Sequence, residues 1–404
     1  MPDRPPHPQP SAARNLYSFG ATSFFNDTAT EMAYWVLPAF LVSLGAGPAQ
    51  LGLIEGISES VASFAKLFSG YLTDHIERRK PLVVAGYFVA NAVKPLLAVV
   101  TAWWQILLIR FSDRLAKGVR GAPRDVMVAE SVEKEKLGSA YGLIQSFDSA
   151  GAIAGPLAAL LLLARYGMRS VFWAAAIPGA LAVLVAVFGI RETRGAGVSQ
   201  QGREAGHSRQ AEGNPSSVRK MGLPWSFHVV LVAVTLFSLG NSSDMFLVMR
   251  AQNIGIPISR APLLGLVFNI TYTLGSWPAG WVSDRFSRRW IAAVGYVIFA
   301  GVYFVFGLAP STLAIWITMA IYGVYNALTQ PVLKALVVET VAEEIRGRAL
   351  GIYFFATSAA TLAASLITGE LWKHLGPGVP FYASAGCAVV SAILLLVSAR
   401  GANR

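Results

Sequence analysis

Several charged residues lie inside apolar segments of this chain, and their spacing places them on shared helix faces. Arg110, Arg114 and Lys117 follow an i, i+4, i+7 pattern, which aligns side chains on one side of a helix. Asp27 and Glu31 are four residues apart in an earlier apolar segment. A carboxylate inside such a segment can bind and release a proton, because burial and neighbouring charge decide whether a carboxyl group is ionised.

The apolar segments that carry these charges have the length of a lipid bilayer. Leu82–Val100, Val171–Ile190 and Ile291–Leu308 contain few or no charges, and about 20 apolar residues suffice for a transmembrane helix. The chain has only 14% charged residues, whereas a soluble domain has about 25%. The segments do not alternate as the strands of an outer-membrane barrel do. We therefore predict an all-α integral membrane protein.

The length of the chain allows twelve transmembrane helices, which we predict to form two pseudo-symmetric six-helix bundles. Lys and Arg concentrate on one side of the predicted spans, and this side is cytoplasmic by the positive-inside rule. We therefore expect a multi-pass protein of the cell's inner or plasma membrane with both termini in the cytoplasm. The predicted parts are a disordered N-terminus at 1–14, a bundle at 15–190, a flexible linker at 191–224, a bundle at 225–399 and a C-terminus at 400–404.

Two sequence patterns occur once in each half at nearly the same offset. Residues 70–79 read GYLTDHIERR and residues 280–289 read GWVSDRFSRR. Residues 130–142 read ESVEKEKLGSAYG and residues 339–351 read ETVAEEIRGRALG. Parallel six-span repeats, related by an axis along the membrane normal, are a recurrent architecture of transporters.

The first of these patterns resembles the loop signature G-x-x-x-D-x-x-x-R-[RK] of the major facilitator superfamily (MFS), and the resemblance covers essentially the whole chain. The matching residues are Gly70, Asp74, Arg78 and Arg79 in the first half and Gly280, Asp284, Arg288 and Arg289 in the second. The resemblance implies a cytoplasmic gate. Its contacts would join Asp74 to the start of the eleventh span, Arg78 or Arg79 to Asp125, Asp284 to the fifth span, and Arg289 to Glu339. Alternatively, the cations only hold the loops on the cytoplasmic side.

Two further signatures of the family occur in the first half. The fourth-span signature R-x-x-x-G-x-x-x-A begins at Arg114. Gly151, Gly155 and Pro156 resemble the fifth-span signature of proton-coupled exporters, without its closing glycines. The two glycines also provide a packing face of small residues.

The resemblance implies that the first, fourth, seventh and tenth spans surround a central cavity. The coupling positions of the exporters match Asp27 and Arg114, and Glu31 lies on the same face as Asp27. The alternative is a static buried ion pair. The expected substrate-cavity residues are Arg110, Lys117, Glu55, Glu59, Asn241, Asp244, Tyr272, Asn326 and Lys334. Each of them could instead form an interhelical hydrogen bond.

The function implied is secondary active transport of a small organic solute by alternating access, through proton-coupled efflux (antiport). The alternative is uptake of an anionic or zwitterionic solute by proton symport. A membrane-embedded enzyme would need a motif such as G-x-S-x-G or H-E-x-x-H, which the sequence lacks. A channel would not need two gate motifs.

The partners expected are therefore the solute, protons and the lipid bilayer. The net charge of +11 is explained by cytoplasmic loops, so no nucleic acid is expected. Five scattered histidines and one cysteine predict no metal site. No cofactor and no enzymatic activity are expected, the chain has no P-loop for ATP, and we expect a monomer.

Overall fold

The structure is a computed structural model, and it describes residues 10–76, 78–132, 137–192, 223–283, 286–308, 311–341 and 346–401. Most of the predicted N-terminal segment, nearly all of the predicted linker, and Asp284 lie outside the described residues. Some predicted site residues are described only as part of a helix backbone, without their side chains. These are Gly70, Asp74, Gly280, Lys334 and Glu339.

The described part of the first half is helical. Its α-helices are α1 (Pro10–Tyr34), α2 (Leu37–Ser43), α3 (Pro48–His75), α4 (Lys80–Val93), α5 (Trp103–Glu130), α6 (Leu137–Tyr166), α7 (Met168–Ala174) and α8 (Ala176–Phe188). A 3-10 segment, Lys94–Val99, continues α4. Helices satisfy all backbone hydrogen bonds within one segment, which a lipid environment requires.

The second half repeats this helical organisation. Its α-helices are α9 (Trp225–Gly240), α10 (Met245–Asn253), α11 (Ala261–Ser283), α12 (Arg288–Leu308), α13 (Thr312–Glu339), α14 (Arg346–Leu375) and α15 (Val379–Gly401). No strand occurs among the residues that the structure describes. The prediction of an all-α protein is confirmed.

Among the described residues, eight helical stretches are long and apolar enough to cross a membrane. They are Lys80–Val99, Ala140–Tyr166, Met168–Phe188, Trp225–Asn253, Arg288–Leu308, Thr312–Thr329, Gly351–Leu375 and Val379–Val397. The helices α1, α3 and α5 are as long as these stretches, but they contain several of the charged residues singled out from the sequence. Hydropathy alone therefore does not identify them as spans. The count of twelve spans stays a prediction.

The distribution of side chains is inverted relative to a soluble protein. Phe188 and Leu161 are each 74% exposed, whereas Lys94 and Arg110 are buried. In soluble proteins, lysine and arginine are almost never fully buried unless they are paired. Large apolar side chains on the outside and charges on the inside indicate an outer surface that faces lipid.

The chain divides into two compact units that differ from the two predicted bundles. The first unit contains the described residues of Met1–Ala33, Phe64–Val100 and Leu108–Ala196. The second contains the described residues of Tyr34–Ser63, Thr101–Leu107 and Gly197–Arg404. Residues 34–63, which the sequence assigns to the N-terminal bundle, therefore group with residues of the second half.

Close backbone packing within the second unit explains this grouping. Gly52 of α3 meets the backbone carbonyl of Ser365 on α14, with no room for a Cβ. A Cβ on Gly369 would lie 2.7 Å from the carbonyl oxygen of Pro48. Such contacts depend on the tertiary arrangement and have no signature in the hydropathy of either helix.

Candidate functional site

A chain of side-chain hydrogen bonds connects α1 with α4 and its 3-10 continuation inside the first unit. Lys94 donates from Nζ to Asn91 Oδ1 at 3.0 Å, and Asn91 donates from Nδ2 to Asn26 Oδ1 at 3.1 Å. Asn26 donates in turn from Nδ2 to Asp27 Oδ1 at 3.0 Å. Because an ammonium group can only donate, Lys94 fixes the direction of both amides. The chain has a cation at one end and a carboxylate at the other.

Lys94 also faces a carboxylate of α5. Its Nζ lies 3.9 Å from Asp113 Oδ1, and Arg110 Nη1 lies 3.9 Å from Asp113 Oδ2. Lys94, Arg110 and Asp113 are 4%, 5% and 7% exposed. An uncompensated buried charge costs several kcal/mol, so Asp113 stabilises both cations in the interior. We call Asp27, Lys94, Arg110, Asp113 and Arg114 the charged cluster.

The predicted cationic face of α5 is only partly turned inward. Arg110 and Arg114 are buried, but Lys117 is exposed. A further cation, Arg120, is buried with its guanidinium 4.2 Å from the centre of the Tyr87 ring. This geometry permits a cation–π interaction.

The fifth-span glycines bring α6 against the acidic face of α1. A Cβ on Gly151 would lie 3.2 Å from Asp27 Cβ. A Cβ on Gly155 would lie 2.7 Å from Glu31 Cβ and 2.7 Å from the carbonyl oxygen of Thr28. The motif that resembles the exporter signature therefore positions both predicted coupling acids. Pro156, its third residue, lies inside α6.

The expected pairing of Asp27 with Arg114 stays a prediction. Asp27 accepts a hydrogen bond from Asn26. Arg114 lies within electrostatic reach of Lys94 and Asp113. Asn91 of α4 and Lys94, the first residue of its 3-10 continuation, supply the polar chain that ends at Asp27. Asp148 of α6 also lies within electrostatic reach of Asp27.

Arg79 has a different acidic partner from the expected Asp125, whereas the expected contact of Arg78 stays a prediction. Arg79 Nη1 lies 2.6 Å from Glu130 Oε1, about one turn further along α5, while Asp125 pairs with its neighbour Arg124 at 3.2 Å. Glu192 accepts hydrogen bonds from the backbone amides of Arg79 and Lys80, at 2.9 and 3.1 Å. A carboxylate at this position stabilises the N-terminus of α4. The acidic partners of the loop are therefore Glu130 and Glu192.

The second copy of the loop signature is only partly described. Arg288 and Arg289 form the start of α12 and are partly buried. Asp284 and the side chain of Glu339 are outside the described residues, and Gly280 is described only by its place in α11. The gate contacts expected in the second half, and those of Asp74 in the first, stay predictions.

In the second unit the seventh predicted span is interrupted. The helix α9 ends at Gly240 and α10 begins at Met245, and residues 241–243 are not helical. Interrupted helices at membrane depth are typical of transporter binding sites. The intervening Asn-Ser-Ser-Asp sequence is the signal that could have predicted the break, because clustered polar residues of these types favour turns.

Two carboxylates lie beside this break. Tyr322 Oη donates to Asp244 Oδ1 at 2.5 Å, and Ser243 Oγ donates to Glu55 Oε2 at 2.9 Å. Asp244 is also within electrostatic reach of Glu55 and Glu59. The structure therefore brings these predicted cavity acids together. Tyr322 and Ser243 were not identified from the sequence, because a single hydroxyl group has no distinctive spacing.

Two other predicted cavity residues of the second unit, Tyr272 and Asn326, lie close to an aromatic cluster. Tyr272 stacks with Phe268 at a centroid distance of 6.1 Å, and Phe268 contacts the Tyr322 ring at 5.6 Å. Asn326 donates from Nδ2 to the carbonyl oxygen of Tyr322 at 3.3 Å. Asn241 follows the last residue of α9. Within the described part of the chain, no group of three or more His, Cys, Asp or Glu residues could hold a metal ion.

Comparison with solved structures gives the same architecture. The nucleoside transporter NupG superimposes with a TM-score of 0.75 at 14% identity, over 95% of this chain and 99% of that chain. A D-xylose-proton symporter gives a TM-score of 0.71 at 15% identity, over 95% of this chain and 96% of that chain. At such identities the likeness concerns the fold alone.

Comparison with known sequences extends over nearly the whole chain. The multidrug resistance protein MdtG of Escherichia coli is 24% identical over 388 residues, 94% of this chain and 93% of its own length. An uncharacterized MFS-type transporter of Methanocaldococcus jannaschii is 31% identical over 399 residues, 95% of this chain and 94% of its own. The sequence model of the Major Facilitator Superfamily matches residues 19–250 and 230–404. With these matches and the helical fold, the chain belongs to the Major Facilitator Superfamily of membrane transporters.

Proposed function

We propose that this protein is a proton-coupled secondary active transporter that exports a small organic solute by alternating access. The observation that carries the proposal is the charged cluster, which places ionisable groups inside the helices of a transporter fold. Ionisable residues at membrane depth are costly, and they commonly mark substrate or proton pathways.

Asp27 is the member of the cluster best suited to bind and release a proton. Its one hydrogen bond among the described residues comes from a neutral amide, that of Asn26. Protonating Asp27 therefore leaves the Lys94–Asp113 contact intact. Protonating Asp113 would instead remove the charge that compensates buried cations, which is expensive. We assign proton coupling to Asp27 and Glu31, with Arg114 as a nearby fixed charge.

Export is supported by two likenesses. The relative named as a multidrug resistance protein matches this chain along nearly its whole length, and Gly151, Gly155 and Pro156 follow the pattern of exporters. The alternative, proton-symport uptake of an anionic or zwitterionic solute, is favoured by the surplus of buried cations. Lys94, Arg110, Arg114 and Arg120 are buried, whereas Asp113 is the buried carboxylate of the same helices.

The substrate contacts in this proposal are those expected from the sequence. In the first unit they are Arg110 and Lys117. In the second unit they are Glu55, Glu59 and Asp244, with Asn241, Tyr272, Asn326 and Lys334 as further contacts. The same proposal retains twelve spans in two bundles, both termini in the cytoplasm, and a monomer without a cofactor.

The cytoplasmic gate is part of the proposal in a revised form. In the first half, Arg79 with Glu130 and the Glu192 contact to the start of α4 would hold the cytoplasmic ends together. Asp74, Arg78, Asp284, Arg288 and Arg289 keep the roles that the loop signature implies.

The test is proton movement in proteoliposomes loaded with a pH-sensitive dye. Organic acids, amino acids, siderophores and drugs are added singly from either side, with no membrane potential imposed. An antiporter should move protons opposite to the added solute, and a symporter should move them with it. Liposomes without protein are the control, and solute uptake without any proton movement would refute the coupling.

A further inference from the structure

A cavity of about 650 Å³ lies within the second unit. It is formed where α2, α10 and α14 approach each other, beside the connections at residues 44–47 and 254–257. Its walls include Val42, Met249, Ile256 and Trp372. The volume falls in the range of about 300–1,000 Å³ that is usual for small-molecule sites.

The lining of this cavity is apolar except for two carboxamides. None of the described residues that line it carries a charged side chain. Gln252 and Asn253 line it, and the buried Nε2 of Gln252 has no hydrogen-bond partner among the described residues. A buried donor without a partner costs about 1–3 kcal/mol, so it is available to a ligand.

The second carboxamide is held in a fixed orientation. Arg250 donates from Nη1 to Asn253 Oδ1 at 2.8 Å. A guanidinium group has no acceptor, so this contact identifies the Asn253 oxygen and leaves its Nδ2 donors free of that bond. Arg250 itself is fixed, because its Nε and Nη2 donate to the carbonyl oxygens of Phe306 and Gly307 at 3.0 and 3.1 Å.

We propose that this cavity binds a neutral, largely apolar small molecule that carries a hydrogen-bond acceptor such as a carbonyl oxygen. The apolar wall would bury the body of the ligand, and the amide groups of Gln252 and Asn253 would donate to its acceptor. A charged ligand would lose its hydration without gaining a counter-charge, which is unfavourable. This site is separate from the charged cluster and does not depend on proton coupling.

The test uses benzophenone, a neutral aromatic ketone that cross-links to nearby C–H bonds under ultraviolet light. The purified full-length protein is labelled in detergent, and the modified peptides are mapped by mass spectrometry. We expect labelling in the peptides that contain residues 39–48 and 249–258. Val42→Trp should reduce this labelling by about tenfold, because the larger side chain occupies the cavity.

Leu313→Trp is the matched control, because it adds the same side chain at another exposed apolar position. Val42 is 51% exposed and Leu313 is 66% exposed, so neither change should disturb folding, which size-exclusion chromatography checks. Equal labelling in the wild type and in both variants would overturn the proposal, since it would indicate general partition onto the lipid-facing surface.

The hydrogen bond is tested by competition between two ligands of the same shape. Fluorenone has a carbonyl oxygen, and fluorene has none. Fluorenone should compete with benzophenone about three- to tenfold better than fluorene, as one hydrogen bond allows. Gln252→Leu should reduce this preference. Equal competition by both compounds in the wild type, or stronger labelling by the anion benzoylbenzoate, would contradict a neutral acceptor-bearing ligand.

Discussion

Replacing Asp27 by Asn distinguishes two roles that this residue could have, that of a proton carrier and that of a packing residue. Asn26 donates to Asp27 Oδ1 at 3.0 Å, and an Asn side chain can offer its own Oδ1 to the same donor. The variant keeps this hydrogen bond and loses only the negative charge of its acceptor. Hydrogen bonds to charged groups contribute about 1.5–3 kcal/mol and neutral ones about 0.5–1.5 kcal/mol, so the variant should lose about 1 kcal/mol of stability and fold normally.

The effect on transport should be much larger than the effect on folding. One proton per cycle supplies about 1.4 kcal/mol per pH unit, which is about a tenfold concentration ratio of the solute. An Asn at this position cannot carry a proton, so the ratio reached by Asp27→Asn should fall to about one while solute exchange continues.

The assay is solute accumulation in proteoliposomes with an imposed gradient of one pH unit. Glu370→Gln is the control, because it also replaces a carboxylate by an amide, at an exposed residue that pairs with His374 on its own helix. Accumulation by Asp27→Asn equal to that of the wild type would refute the assignment. Glu31, Glu55 and Glu59 would then be the next candidates for the proton carrier.

Three further variants test other contacts within the first unit. Asp113→Asn removes the carboxylate that faces Lys94 and Arg110, and it should lower the free energy of unfolding by about 3–5 kcal/mol. Thermal unfolding measures this cost, and an unchanged melting temperature would contradict the pairing. Gly155→Val should lower the yield of folded protein, because its Cβ would meet α1, whereas Gly142→Val, with nothing within 4 Å of its Cβ, should not. Arg79→Gln should lower the free energy of unfolding by about 1 kcal/mol in low salt and by less in high salt, because salt screens the ion pair. An effect independent of salt would argue against the ion pair.

The helical class and the inward position of key charges could be predicted from the sequence. Composition excludes a soluble domain, and the cost of exposing Arg110 or Arg114 to lipid requires that they face the interior. The repeated loop signature identified the family, and the fifth-span glycines identified a packing face of small residues on α6. These features depend on short sequence patterns or on the general cost of exposing charge to lipid, so they can be predicted from a single sequence.

The identity of the charge partners could not be predicted. Successive residues of a helix are about 100° apart, so the choice between Asp125 and Glu130 as partner of Arg79 depends on where the loop approaches α5. Asn91 reaches Asn26 across 65 positions of sequence, and nothing in either segment indicates the other. The grouping of residues 34–63 with the second unit has the same origin, because backbone contacts at glycines are visible only in three dimensions.

The hydrogen-bonded series Lys94–Asn91–Asn26–Asp27 has a consequence for how two helices can sense each other. An amide is a dipole with two distinguishable ends, and this series aligns two of them between an ammonium and a carboxylate. If Asp27 gains a proton, its oxygen can still accept from Asn26, but the hydrogen bond loses its charge and weakens. The ionisation state of one residue on α1 thereby changes how strongly two neutral amides are held in line with Lys94, without any charge travelling between the two helices.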